Sequence, residues 1–216
     1  MEKRGVFAEK SNWNILKLLK IRASEYGNRE FIKFDSGSAL SFKSLDESSD
    51  KMACKLLNIG LKEDENVFCL LKNSPEFLIS LFAVMKTGAV FVPINTELRG
   101  QFLEHQYLNC EPKIAIIDNT LLDIFNDIKP QKKRLKGTII TDTFDSESLP
   151  TALHSEETLS FNSCFENIVN ISDLRLLESA SIHKICACHS TNFTDVRRSI
   201  FGTCLGMDFY WGGDFT

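Results

Sequence analysis

Val67-Phe68-Cys69-Leu70-Leu71, Ser74-Pro75-Glu76-Phe77 and Val90-Phe91-Val92-Pro93-Ile94 decide the fold. The first and last runs are short, apolar and β-branched or aromatic, as buried strands are. Between them lies a helix with clear punctuation. Ser74 can cap it, Pro75 occupies the first helical position where its missing N–H is harmless, and Glu76 meets the positive end of the dipole. Phe77, Leu78, Leu81, Phe82 and Met85 form its buried face, and Gly88 closes it. Pro93 places the end of the second strand, or a position that needs no ladder donor. Strand, helix, strand in this spacing is a parallel crossover.

The alternation extends outward in both directions. Asn12 is expected to cap a helix whose stripe is Ile15, Leu16, Leu19, Ala23 and Tyr26, with Gly27 as its stop. Phe31, Ile32 and Phe34, then Ala39 to Phe42, predict a hairpin around Asp35-Ser36-Gly37-Ser38. Leu45, Met52, Ala53, Leu56 and Leu57 share a helical face that Gly60 ends. Downstream come a helix over Glu97 to Asn109, a strand over Lys113 to Ile117, a short helix over Leu121 to Ile128 and a strand over Thr138 to Thr141. The expected class is α/β, a mainly parallel sheet with helices on both faces. From Asp145 to Thr158 the chain reads as polar loop, and beyond Leu174 no period persists. The expected organisation is therefore a domain over residues 1–173 and an atypical tail over 174–216.

Composition narrows the function classes. The chain has 216 residues, 43% hydrophobic and 25% charged, with a formal charge of -4, ordinary values for a globular protein with a core. A sequence pI of about 5.6 argues against a nucleic-acid partner, which needs a broad basic face. The longest apolar stretch, Phe77 to Met85, is far short of the ~20 residues that cross a bilayer. No hydrophobic run follows Met1-Glu2-Lys3-Arg4, so no secretory signal is expected and a cytoplasmic location is. Seven cysteines, with Cys54 and Cys69 inside apolar patterns, read as reduced small hydrophobes. The sequons at Asn170 and Asn192 are then chance matches.

Candidate chemistry is sparse. His183, Cys186, Cys188 and His189 lie close together, but Cys-x-Cys-His without a second ligand pair reads as accidental composition and not as a zinc site. Lys129 to Lys136, with Lys132, Lys133 and Arg134, reads as a solvated connector because no aromatic residues are interleaved. His105 lacks an identifiable partner. Cys69 in a buried strand is core. Asp118 stands at a strand's carboxyl end, where α/β sites gather, but has no glycine loop beside it and reads as a helix cap. No catalytic, cofactor-binding or metal-binding residue is assigned.

Asn73-Ser74-Pro75-Glu76-Phe77, Ala83, Lys86-Thr87-Gly88-Ala89 and Val92-Pro93-Ile94-Asn95 together resemble the N-terminal region of adenylate-forming enzymes, the AMP-dependent acyl-CoA synthetases and ligases. The carnitine/crotonobetaine-CoA ligase branch looks most similar. Ser41-Phe42-Lys43-Ser44-Leu45, and Leu98-Arg99 through Tyr107-Leu108-Asn109-Cys110 to Pro112-Lys113-Ile114, keep the family's order. At Lys62-Glu63-Asp64-Glu65-Asn66-Val67 the chain departs from the usual Gly-Asp. The resemblance covers roughly residues 12–173 and thins after 118.

What the resemblance implies is a two-step reaction: a carboxylate attacks the α-phosphorus of ATP, and a CoA thiol then displaces AMP. Parent cofactors are ATP, Mg2+ and CoA; for this chain alone none is expected. Gripping a triphosphate calls for a Gly/Ser/Thr-rich loop whose N–H groups approach the phosphates. No Ser-Gly-Thr-Thr-Gly run and no Pro-Lys-Gly occurs in the sequence. Ser179-Ala180-Ser181-Ile182 resembles the approach to that loop and Cys188-His189-Ser190-Thr191-Asn192-Phe193 the segment after it, but the interval between them is too short. A deletion or a frame shift explains the junction, and both leave the ATP site unbuilt. The family's ribose-binding acid, its arginine and its C-terminal lysine fall beyond residue 216. Two readings stay open: a truncated, inactive acid–CoA ligase piece, or a non-enzymatic module that pairs with an intact ligase subunit. Either would leave apolar sheet faces uncovered.

Overall fold

The computed structural model describes residues 14–128, 135–141 and 155–165. In chain order the elements are α1 (Ile15–Tyr26), β1 (Glu30–Lys33), β2 (Ala39–Ser41), α2 (Phe42–Asn58), β3 (Asn66–Leu70), α3 (Pro75–Lys86), β4 (Val90–Pro93), α4 (Gly100–Cys110), β5 (Ile114–Ile117), α5 (Leu122–Asn126), β6 (Leu135–Ile140) and β7 (Ser155–Ser160). β1 and β2 form the expected antiparallel hairpin. The other five strands form one parallel sheet in the order β4-β3-β5-β6-β7.

Local chemistry explains the helix ends. Ser74 Oγ accepts from the Phe77 N–H, with Pro75 and Glu76 in the first turn. Ser41 and Ser44 exchange side-chain and backbone bonds in a capping box that starts α2, a pairing that satisfies two otherwise orphaned N–H groups. The cap of α1 is Asn14, not Asn12, its side chain accepting from Leu16 and Lys17 N–H; two asparagines this close are not separable by composition. Gly27, φ 52°, ends that helix. The helix expected from Glu97 begins instead at Gly100, because Asn95 first folds a turn of its own, accepting from the Glu97 N–H at 2.9 Å and the Leu98 N–H at 3.2 Å. The predicted helix over Leu121 to Ile128 is a 3-10 turn (Asn119–Leu121) followed by the short α5.

β7 overturns the reading of Asp145 to Thr158 as loop throughout. Ser155-Glu156-Glu157-Thr158-Leu159-Ser160 pairs with β6 from Leu135↔Ser155 to Ile140↔Ser160. Its polar sequence hides it: an edge strand is held by a ladder on one side and needs little apolar surface. The other edge is β4, where Pro93 sits. Val90 and Ile94 donate to Glu65 and Cys69 of the β3 side, so the intervening Pro93 turns its nitrogen outward, where no donor is required.

Both faces of the sheet are covered over β3 and β5, against the expectation of uncovered apolar faces. Every residue of β5 is buried, and so are Val67 to Leu70 of β3. Residues in parallel register share a face, which aligns Phe68 with Val92 and Ala115, and Ala115 with Thr138. On that face Phe68 meets Tyr107 of α4 at 5.3 Å and Phe125 of α5 at 5.8 Å between ring centroids. Phe91, on the opposite face, meets Phe77 of α3 edge-on at 5.5 Å. α3 therefore covers one side and α4 with α5 the other, the two-sided packing of a parallel sheet.

At the amino edge, Lys136 joins β6 to β3. Its ammonium donates to Glu65 Oε2 at 2.8 Å, Oε1 at 2.9 Å and the Gly60 carbonyl at 2.7 Å. Lys136 thus belongs to a strand and an ion pair, not to the solvated connector. Burial pushes the Glu65 carboxyl up, but the bonds from Lys136 and the Lys62 N–H and the charges of Lys136 and Lys113 outweigh it, and the net shift is below the ordinary 4.5. A carboxyl lowered on folding stabilises the fold above its unfolded pKa and loses that contribution as pH falls through the folded one. Glu65→Gln is expected to cost about 1 kcal/mol at neutral pH and to flatten the loss of stability on the acid side of 4.5. Urea midpoints measured across that range for both proteins check it.

Candidate functional site

Strand order turns at β3: the chain steps to β4 on one side, then crosses to β5 on the other. Open α/β sheets bind ligands at the carboxyl ends of strands where the order reverses. Here that crevice lies between the loop after β3 and the loop after β5. Lys72 Nζ donates to Thr120 Oγ1 at 2.6 Å, and Thr120 donates its hydroxyl to Asp118 Oδ1 at 2.6 Å. The same Oδ1 accepts the Thr120 N–H at 2.9 Å, so Asp118 caps the 3-10 turn, the role read for it from sequence. Thr141, just past β6, accepts from the Asn119 N–H at 3.3 Å. A cation, a hydroxyl and a carboxylate thus line one exposed rim.

The start of α3 follows this rim and is partly capped. Ser74 takes the Phe77 N–H, the Ser74 carbonyl takes the Leu78 N–H, Pro75 has none, and Glu76 places a carboxylate in the first turn. Among the described residues, the rim ties the loop after β3 to the loop after β5.

Other residues singled out by sequence fall into three groups. His183, Cys186, Cys188 and His189 lie outside the described residues, as do Lys129, Lys132, Lys133 and Arg134 and the whole 174–216 tail. His105 is exposed on α4 and pairs its Nε2 with Asn109 at 2.9 Å, a pair along one helix. Cys69 is fully buried; burial, and secondarily Cys110, push its thiol well above the ordinary range, so it is core and not a nucleophile. Cys54, Cys69, Cys110 and Cys164 are buried and unbridged. Tyr107, also in the core, is pushed up to about 12, first by burial and then by Cys110, and stays neutral. Among the described residues no group of three His, Cys, Asp or Glu side chains is placed to hold a metal, and no helix is long and apolar enough to cross a membrane.

Sequence reading missed the best-built polar cluster. Lys86, the last residue of α3, is 5% exposed. It pairs with Asp46 at 2.7 Å and Asp50 at 2.6 Å, both on α2. The only hint in sequence is a lysine ending an otherwise apolar helix.

A family profile described as AMP-binding enzyme matches residues 19–177. Medium/long-chain-fatty-acid–CoA ligase FadD6 of Mycobacterium tuberculosis is 27% identical over 120 residues, covering 56% of this chain and 20% of the relative. Crotonobetaine/carnitine–CoA ligase of Citrobacter koseri is 34% identical over 89 residues, covering 39% of this chain and 17% of the relative. Among solved structures, the anthranilate CoA ligase AuaEII in complex with anthranoyl-AMP superposes with a TM-score of 0.60 at 22% identity, over 71% of this chain and 28% of that one. The chain belongs to the AMP-binding enzyme family. It spans 20% and 17% of the length of the two ligases it matches in sequence, and its fold is that of the adenylate-forming ligases.

Proposed function

We propose that this polypeptide supplies the N-terminal α/β layer of an ATP-dependent acid–CoA ligase and that, by itself, it forms no acyl-adenylate. The observation that carries the reading is a contrast. The family match spans 19–177, yet the 216 residues contain no Gly/Ser/Thr-rich run with an adjoining lysine of the kind that grips a triphosphate. Adenylation builds charge on the α-phosphate as the carboxylate oxygen attacks and pyrophosphate departs, and stabilising it requires donors already aimed at those oxygens. Among the described residues, the rim at the turn of strand order offers one cation, Lys72, beside a helix start that Ser74 caps. ATP, Mg2+ and CoA belong to the complete ligase, which is also the natural partner for this piece, in the cytoplasm.

ATP–pyrophosphate exchange on the purified 216-residue chain, with carnitine-like and fatty acids, tests the reading. Exchange at the level of a protein-free blank is expected; measurable turnover overturns it. Coding DNA downstream of codon 173, read in all three frames, separates the origins. A recovered Ser/Thr/Gly loop and Pro-Lys-Gly establish a truncated ligase, whereas their absence favours a non-enzymatic module.

A further inference from the structure

α4 carries the two most exposed large apolar side chains among the described residues, Phe102 at 77% and Leu108 at 47%. Gln101, His105 and Asn109 are exposed beside them. The five share one side of the helix. Phe102, His105 and Asn109 follow a three-then-four spacing, Gln101, His105 and Leu108 a four-then-three spacing, and the two rows cross at His105. The other side, with Leu103, Tyr107 and Cys110, is buried. No carboxylate, ammonium or guanidinium stands among the five, and the Asn109 amide is bonded to His105 Nε2 at 2.9 Å, along the helix. An uncharged centre with an aromatic anchor is the composition of an interface core.

The order of these residues says what covers them. Phe102 lies three positions before His105 and Leu108 three after it; Gln101 and Asn109 lie four to either side. Arg99, at the helix start, and Glu111, at its end, lie six to either side and are exposed. Reversing the helix about His105 therefore exchanges aromatic with aliphatic, amide with amide and cation with anion. That is the pattern of an isologous contact, in which one patch serves both partners. We propose that the outer face of α4 pairs with α4 of a second copy of this chain, antiparallel, about a two-fold axis at His105. Phe102 of each chain lies level with Leu108 of the other and packs across the seam. The basic end of each helix lies level with the acidic end of the other, whereas a parallel pair sets like charges together. Eleven helical residues span about 16 Å, so the contact is small and the dimer transient, with a dissociation constant on the order of 100 µM.

Sedimentation equilibrium of the full chain from about 10 µM to 1 mM tests this by mass action. The wild-type weight-average mass is expected to climb from 24.5 kDa toward twice that value. Phe102→Glu and Leu108→Lys change exposed positions, and their melting points at the lowest concentration are expected to match wild type. Each alone is expected to weaken association at least about tenfold, because an unpaired charge must enter an apolar seam. An equimolar mixture of the two is expected to associate again. In the mixed pair the introduced carboxylate meets the introduced ammonium at one end, while Phe102 and Leu108 meet at the other. A wild-type mass that stays at 24.5 kDa throughout leaves the face to a different partner and overturns the proposal. Association that Phe102→Glu does not weaken overturns it too, since the contact then lies elsewhere on the chain. A mixture no more associated than its separate components overturns the antiparallel pairing.

Discussion

Lys86→Met is expected to destabilise the chain by about 3–5 kcal/mol, the loss found when one partner of a buried ion pair is removed and the other left uncompensated. Methionine fills the space of the lysine stem, so little of this comes from a cavity. It comes from Asp46 and Asp50, whose side chains are 20% and 22% exposed. They stand one helical turn apart, where like charges repel, and would share a poorly hydrated seam between α2 and α3. The linear extrapolation of urea unfolding gives the number. Adding Asp46→Asn and Asp50→Asn to Lys86→Met is expected to restore most of the loss, because neutral amides do not require the cation; residues in such direct contact are strongly non-additive. A single-variant cost below about 1 kcal/mol, the range of exposed pairs, shows instead that water solvates the cluster.

The cluster also shows where sequence reading reaches its limit. α3 was legible from end to end, since Ser74, Pro75, Glu76 and the apolar residues after them act within one turn of each other. Lys86 pairs with residues 36 and 40 positions away, and nothing local announces which helix will lie against α3. The same holds for Lys136 and Glu65, 71 positions apart; by sequence, Lys136 reads with Lys129 to Arg134 as part of a solvated connector. Parallel pairing was legible from the alternation of strands and helices. The order β4-β3-β5-β6-β7 was not, and with it the position of the crevice by Lys72, Asp118 and Thr120. β7 escaped because a strand paired along one edge carries too few apolar residues to show a period of two.

The motifs behind the family resemblance take on a physical meaning in the structure, and it is architectural. Ser74-Pro75-Glu76 closes the start of α3. Lys86-Thr87-Gly88-Ala89 first pins α3 to α2, then turns the chain: the Thr87 hydroxyl donates to the Val84 carbonyl at 2.7 Å, and Gly88 has φ 74°, a conformation in which a β-carbon is strained. Val92-Pro93-Ile94-Asn95 ends the edge strand and starts the turn that delays α4. The motifs in this region therefore build the sheet and its helix ends, and the family match here speaks to the fold. Folding and chemistry are separable parts of the family's sequence, which is why activity must be assayed and not inferred from the match.

Phe68→Ala is expected to cost about 3–5 kcal/mol, as truncation of a well-packed aromatic does, and to loosen α4 and α5 together. Phe68 is fully buried in β3, one strand in from the β4 edge. Its ring contacts Tyr107 and Phe125, which also contact each other at 5.7 Å. Three rings from a strand and two helices thus close a triangle, so deleting the strand's member leaves a cavity that neither helix fills alone. Phe102 supplies the control: it lies on α4 but is 77% exposed, and Phe102→Ala is expected to shift stability by no more than about 0.5 kcal/mol. Hydrogen exchange then distinguishes local from global loss. Faster exchange in both α4 and α5 of Phe68→Ala, with α3 on the opposite face keeping more of its protection, is the expected pattern; uniform loss in all three helices shows that the two faces of the sheet unfold as one unit.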